Sequence, residues 1–144
     1  MKSVLIIDKS LPIGVCSNVA AILGMTMGKT IPDLIGHELL DGSGNSHPGI
    51  TTLPLPVIGA AKDVISFIRR SLTSPEYEGI HCVGFPVIAQ SCRTYEEYAE
   101  KLAGAKFDDI AYLGIGLYGR TGKINQLTGG LRLLGSEADA AVAA

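Results

Sequence analysis

Charge, cysteine and long apolar runs are all scarce in this sequence, and each shortage removes a class of function. Only 18% of the 144 residues are charged and the net charge is −2, so no global basic field exists to recruit nucleic acid. Any RNA contact would need a local patch. The three cysteines, an odd number at spacings unlike any metal site, argue for reduced thiols and a cytoplasmic location. No apolar run reaches the ~18 residues that a membrane-spanning helix requires. The first segment, Met1–Asp8, meets an acidic residue too early for a signal peptide and reads as a strand. There is no repeat and no linker. One domain is expected over 1–136, followed by a flexible Ala-rich tail over 137–144.

Apolar residues, by contrast, make up 47% of the chain and glycine occurs 18 times. So apolar a chain of this size predicts a sheet covered on both faces, or a surface shared between subunits, most simply in a symmetric homodimer. Short β-branched runs alternate with segments of helical period. Strands are expected over 3–8, 54–58, 85–90 and 110–117, and helices near 12–26, 60–72, 94–104 and 121–128. Ser10 is the expected cap of the first helix, with Pro12 in its first turn. A short strand around Glu38–Leu40 leads into a turn and an exposed loop within 29–52. This alternation predicts a three-layer α/β/α sandwich with a mixed sheet of four or five strands.

The stretch from Tyr112 to Leu134 reads as a strand, a glycine-rich turn, a short helix and a closing strand. Gly116 lets the backbone approach a ligand, the helix start offers free N–H groups, and Arg120 and Lys123 add positive charge. Gly114-x-Gly116-x-x-Gly119 matches a dinucleotide fingerprint in spacing. That fingerprint needs a further βαβ unit and an acidic residue about 20 positions on. The sequence runs only from 119 to 144 after it. Gly122-Lys123 is no phosphate loop either, since Leu117 stands where its first glycine belongs and Ile124 where its hydroxyl belongs. No cofactor motif is complete. The plainer reading is glycines that permit a tight strand-to-helix turn.

Three other features carry candidate chemistry. Cys16 lies in the first turn of a helix, where a dipole can activate a thiol, but no spacing links it to His37, His47 or His81. A buried small residue is the plainer reading. His37-Glu38-x-x-Asp41 with His47 lacks the two-histidine helical spacing of a metal motif, so no metal site is assigned. Arg93 and Thr94 follow a strand directly, where α/β sheets place ligand contacts, although a helix cap is enough to explain Thr94.

Four stretches together carry a resemblance: Val4-Leu-Ile-Ile-Asp-Lys-Ser-Leu-Pro-Ile-Gly14 with Val19-Ala-Ala21, Phe85-Pro-Val-Ile-Ala-Gln-Ser-Cys-Arg-Thr94, Leu113-Gly-Ile-Gly116, and Lys123-Ile-Asn-Gln-Leu-Thr-Gly-Gly-Leu-Arg-Leu-Leu134. Their order resembles the type II peptidyl-tRNA hydrolase fold, and more closely a group of small bacterial proteins of unknown function that share it. The resemblance implies that hydrolase's three-layer fold. It also implies differences in activity. The hydrolases carry two lysines just after the glycine matched by Gly14, where this chain has Val15 and Ser17. The acidic residue before their Arg-Thr pair is replaced by Gln90. Two cations and a carboxylate are thereby lost, and with them the ionic groups for tRNA and for proton transfer.

The expected function is binding or turnover of a small anionic ligand in one cleft lined by Gly14, Ser17, Gln90, Arg93, Thr94, Gly116, Arg120 and Lys123. The alternatives are a peptidyl-tRNA hydrolase with an altered site and a non-catalytic structural or regulatory homo-oligomer. The sequence names no reaction and no catalytic residue.

Overall fold

The first strand sits where its composition demands. In the computed structural model, which describes residues 1–136, β1 (Lys2–Asp8) is buried from Ser3 to Asp8 and runs through the middle of the sheet. A strand buried on both faces needs apolar residues at successive positions, and its alternating side chains divide between two cores. Val4 and Ile6 pack on one face with Ile65, Ile68 and Ile124. Leu5 and Ile7 pack on the other with Cys16, Val19, Leu23 and Met27.

Around β1 the chain adds α1 (Ile13–Thr30), a short ribbon of β2 (Leu39–Leu40) and β3 (Ser46–His47), then β4 (Val57–Ala60) and α2 (Lys62–Ser71). After these come β5 (His81–Pro86), α3 (Val87–Gln90), α4 (Tyr95–Ala103), β6 (Tyr112–Gly119), α5 (Thr121–Thr128) and β7 (Arg132–Leu133). The main sheet has five strands in the order β5-β6-β1-β4-β7. β1 and β4 are parallel; β6 is antiparallel to both β1 and β5, and β7 is antiparallel to β4. Helix α1 covers one face, and α2 and α5 cover the other. The mixed α/β class with a five-stranded sheet is as the alternation predicted.

Several boundaries differ from those expected. Ser10 does not cap α1; its N–H and hydroxyl both donate to Asp8 Oδ1, at 3.0 and 2.7 Å, and Pro12 takes the cap position without a side-chain bond. The helix runs past residue 26 to Thr30, because Leu23 and Met27 anchor its last turns in the core despite Gly24 and Gly28. The strand expected over 85–90 begins earlier and stops at Pro86, where the ladder shifts register and Val87–Gln90 turn into helix. Proline has no N–H to continue the ladder and suits a helix start. The strand expected over 54–58 starts after Pro56, whose carbonyl accepts from Leu5 N at 2.9 Å. The tail over 137–144 lies outside the described residues.

Glycines 114 and 116 are packing residues in the middle of β6. Their side faces α1, and a Cβ at Gly114 would lie 2.9 Å from Val19 Cγ1, at Gly116 2.6 Å from Met27 Sδ. Helix α1 can lie close to the sheet only because β6 presents no side chain there. The dinucleotide-like spacing of 114–119 therefore has a structural origin, in the strand rather than in the turn after it.

Candidate functional site

Strand direction decides which of the eight expected site residues can meet. β1 and β5 run the same way, so the Gly14 turn and the Gln90–Thr94 turn leave the sheet at one end. β6 runs oppositely, with Lys2 beside Gly119 and Ile7 beside Gly114, so Arg120 and Lys123 emerge at the other end. The length of β6 separates the two ends by about 24 Å at ~3.4 Å per residue. The single cleft expected from the sequence is thus split in two. Alternation of strands and helices suggests parallel neighbours, and nothing in the residues announces that β6 is inserted antiparallel between β5 and β1.

At the first end, Gly14 and Ser17 are exposed on α1, and Ser17 Oγ donates back to Ile13 O at 2.9 Å. Gln90 ends α3 on the surface. Thr94 caps α4, its Oγ1 accepting from Glu97 N at 3.1 Å, while Glu97 Oε2 accepts from Arg93 N at 3.0 Å. That reciprocal pair is a helix start satisfied by its own side chains. The N–H of Arg93 and then Lys101 hold the Glu97 carboxyl below its ordinary range. Thr94 and the Arg93 backbone are occupied in capping. Gly116 belongs to neither end, being buried in mid-strand beneath Met27.

The Cys16 thiol points inward. Its Sγ lies 3.5 Å from Leu11 O and 3.7 Å from Asp8 O, and burial, reinforced by the Asp8 charge, raises its pKa. A raised pKa suppresses the thiolate that nucleophilic chemistry needs. Burial likewise pushes Cys82 up to about 11. His47 Nε2 pairs with Asp41 Oδ2 at 2.9 Å on the exposed ribbon, and among the described residues no three His, Cys, Asp or Glu groups cluster as a metal site.

The opposite end has the geometry of an anion site. Gly119 ends β6 tightly against Ile80, and Arg120 takes the cap position of α5 with an extended backbone and no side-chain cap. The N–H groups of Thr121, Gly122 and Lys123 begin the helix, and the first of its bonds is Ile124 N to Arg120 O at 3.0 Å. Arg120 and Lys123 line a surface cavity of about 470 Å³ with Met1, Glu76, Glu78, Gly79 and Ile80. Lys123 Nζ is 3.8 Å from Glu76 Oε1 and 5.7 Å from the centre of the Tyr77 ring. Arg120 has no ion pair among the described residues. Sequence reasoning singled out the two cations but missed the carboxylates of Glu76 and Glu78 on the facing wall, which a separation of more than 40 residues and an unremarkable turn concealed.

Comparison with known proteins places the chain in a family without assigning it a role. It belongs to the DUF2000 family, proteins of unknown function, whose model matches residues 1–135. No curated protein matches it. It is similar to the solved structure of the protein of unknown function Atu0240 from Agrobacterium tumefaciens strain C58, at 17% identity and a TM-score of 0.80. The match covers 92% of this chain and 96% of that one, and shows a shared fold. Neither finding links the chain to the type II peptidyl-tRNA hydrolases.

Proposed function

We propose that this member of the DUF2000 family is a homodimer that binds a small anionic ligand at the Arg120–Lys123 corner. The observation that carries the ligand reading is the start of α5, where a helix lacking a side-chain cap opens beside Arg120 into a cavity of about 470 Å³. Free N–H groups and the positive end of the helix dipole favour an anion there, and a guanidinium can bind a carboxylate or phosphate through two hydrogen bonds. Glu76 and Glu78 limit the charge the cavity can take. The two carboxylates offset the Arg120 and Lys123 side chains, which suits a monoanion or a zwitterion, whose cationic group would meet Glu78, and disfavours a polyphosphate. No catalytic residue is assigned.

The test is a titration of the isotope-labelled protein with phosphate, sulfate and small carboxylates, followed by NMR. Saturable shifts at Thr121–Lys123, reduced about tenfold or more in affinity by Arg120→Ala, are the expected result. Absence of saturable binding, or binding indifferent to Arg120→Ala, would overturn the reading. Because Val15, Ser17 and Gln90 stand where the hydrolases carry ionic groups, release of peptide from peptidyl-tRNA is expected to stay at background in the same preparation. Sustained release would favour the hydrolase alternative instead.

A further inference from the structure

Helix α1 presents to solvent a face that the rest of the protomer leaves uncovered. Ile13 and Met25 are 79% and 76% exposed, with exposed Ser17 and Ala21 between them. From Leu11 to Gly28 the chain carries no charged residue. The solvent side of a surface helix ordinarily carries charge, and this one carries none before Lys29. The apolar surface continues beyond the helix. Ile35 Cδ1 lies 3.7 Å from the point a Cβ at Gly28 would occupy, and Ile35 is itself 42% exposed. Leu39, 57% exposed, follows four residues later on the ribbon strand. The pairings Ile35 with Thr51 and Leu39 with His47 keep one register, so the two side chains project to one side. No residue from Ile35 to Thr52 is buried.

We infer that this strip, from Ile13 through Met25 to Ile35 and Leu39, is the dimer interface, packed against the same strip of a second copy of this chain. The inference rests on the homodimer proposed above and is independent of the anion site. Area is the first argument. Its four large apolar residues are between 42% and 79% exposed, an area of the same order as the ~800 Å² that each partner gives to a standard interface. Charge is the second. In a two-fold interface a patch meets itself, so any ionised group near the axis would face its own like, and the helical part of this one, from Leu11 to Gly28, carries none. Gly24 adds a third. A Cβ there would meet nothing within 4 Å, so its bareness serves no packing inside the protomer. Glycine inside a helix is less stable than alanine, and close approach of a partner helix accounts for it.

Sedimentation velocity over a micromolar concentration series tests the surface directly. The wild-type protein is expected at twice the 15.1 kDa chain mass. Met25→Glu should weaken association on the order of 100-fold, because two new carboxylates would be forced together in an apolar interface. Met25 is exposed in the protomer, so thermal denaturation should report an intact fold. Phe67→Glu, a change at a 65% exposed residue of α2 across the sheet, should leave the dimer unchanged. A wild-type dimer that survives Met25→Glu would overturn this surface while leaving the homodimer standing. A wild-type monomer at every concentration would overturn both.

Discussion

A methyl group added at Gly116 would sit 2.6 Å from Met27 Sδ, 3.0 Å from Val83 Cγ2 and 3.1 Å from Leu5 Cδ2. Met27 can swing its thioether aside, but Val83 is branched at Cβ and Leu5 is locked in the centre of the sheet. Gly116→Ala is therefore expected to lower stability by about 1–3 kcal/mol, the usual cost of overpacking a filled core. Urea denaturation measures it, and an unchanged midpoint would mean that α1 is free to rise from the sheet. Gly116 reads as a position of close approach, yet what approaches the glycines at 114, 116 and 119 is Val19, Met27 and Ile80 of the same chain. A spacing cannot say whether the partner of a bare backbone is a ligand or a side chain. The plainer reading of Cys16, a small buried residue, is what the structure has, with Val19 and Leu23 beside it in the core under α1.

Among the elements, α4 depends most on its ends. None of its residues from Tyr95 to Ala103 is buried, so little tertiary packing supports it. What remains is the Thr94 cap, the Glu97 return bond to Arg93 N, and the pair between Glu97 and Lys101 at 3.3 Å. Thr94→Ala should cost the helix about 1 kcal/mol, which speeds hydrogen exchange across 95–103 roughly fivefold while β1 and β6 are unaffected. Acid should act through the same group. The folded-state pKa of Glu97 is lowered, so its contribution is present above the unfolded value and is lost as pH falls through the folded one. Fraying of α4 ahead of the sheet is thus expected below the ordinary glutamate range, and Glu97→Gln should remove that pH dependence. Uniform exchange across α4 and the sheet would contradict both statements. The cap itself was legible as Thr94-x-x-Glu97 before an amphipathic run. That nothing buries the helix was not, because amphipathicity predicts an apolar face without predicting a neighbour to cover it.

For the whole molecule, local patterns identified nearly every helix and strand, and topology decided what they could do together. The continuous apolar run Val4–Ile7 marks β1 as a strand covered on both faces, and the sheet order puts it at the centre; β6, beside it, is interrupted by glycines and carries no such mark. Strand polarity was not legible. A 25-residue connection joins β5 to β6 through two helices, a length that fits a parallel crossover as well as the antiparallel pairing observed. One reversed strand moved Arg120 and Lys123 to the far end of the sheet from Gly14 and Arg93. The β2–β3 ribbon is the other whole-chain feature with consequences. It interrupts the β1–α1–β4 crossover, holds no buried residue from 35 to 52, is closed on itself by Gly36 N to Ile50 O at 2.8 Å, and meets the body at its root through Thr52 N to Leu34 O at 2.7 Å. An appendage joined only at its root can be shortened at small cost, since halving a loop changes closure entropy by only ~0.6 kcal/mol. Replacing residues 38–48 with Asn-Gly, a two-residue hairpin turn, should keep the domain folded. Its stability should stay within about 1 kcal/mol of wild type when both are measured as monomers. Self-association should nevertheless weaken, because Leu39 leaves with the ribbon. Chemical denaturation and sedimentation of the one variant read the two effects separately. A domain that unfolds without its ribbon would place those residues in the folding core, and a shortened chain that dimerises as tightly as wild type would confine the interface to α1 and Ile35.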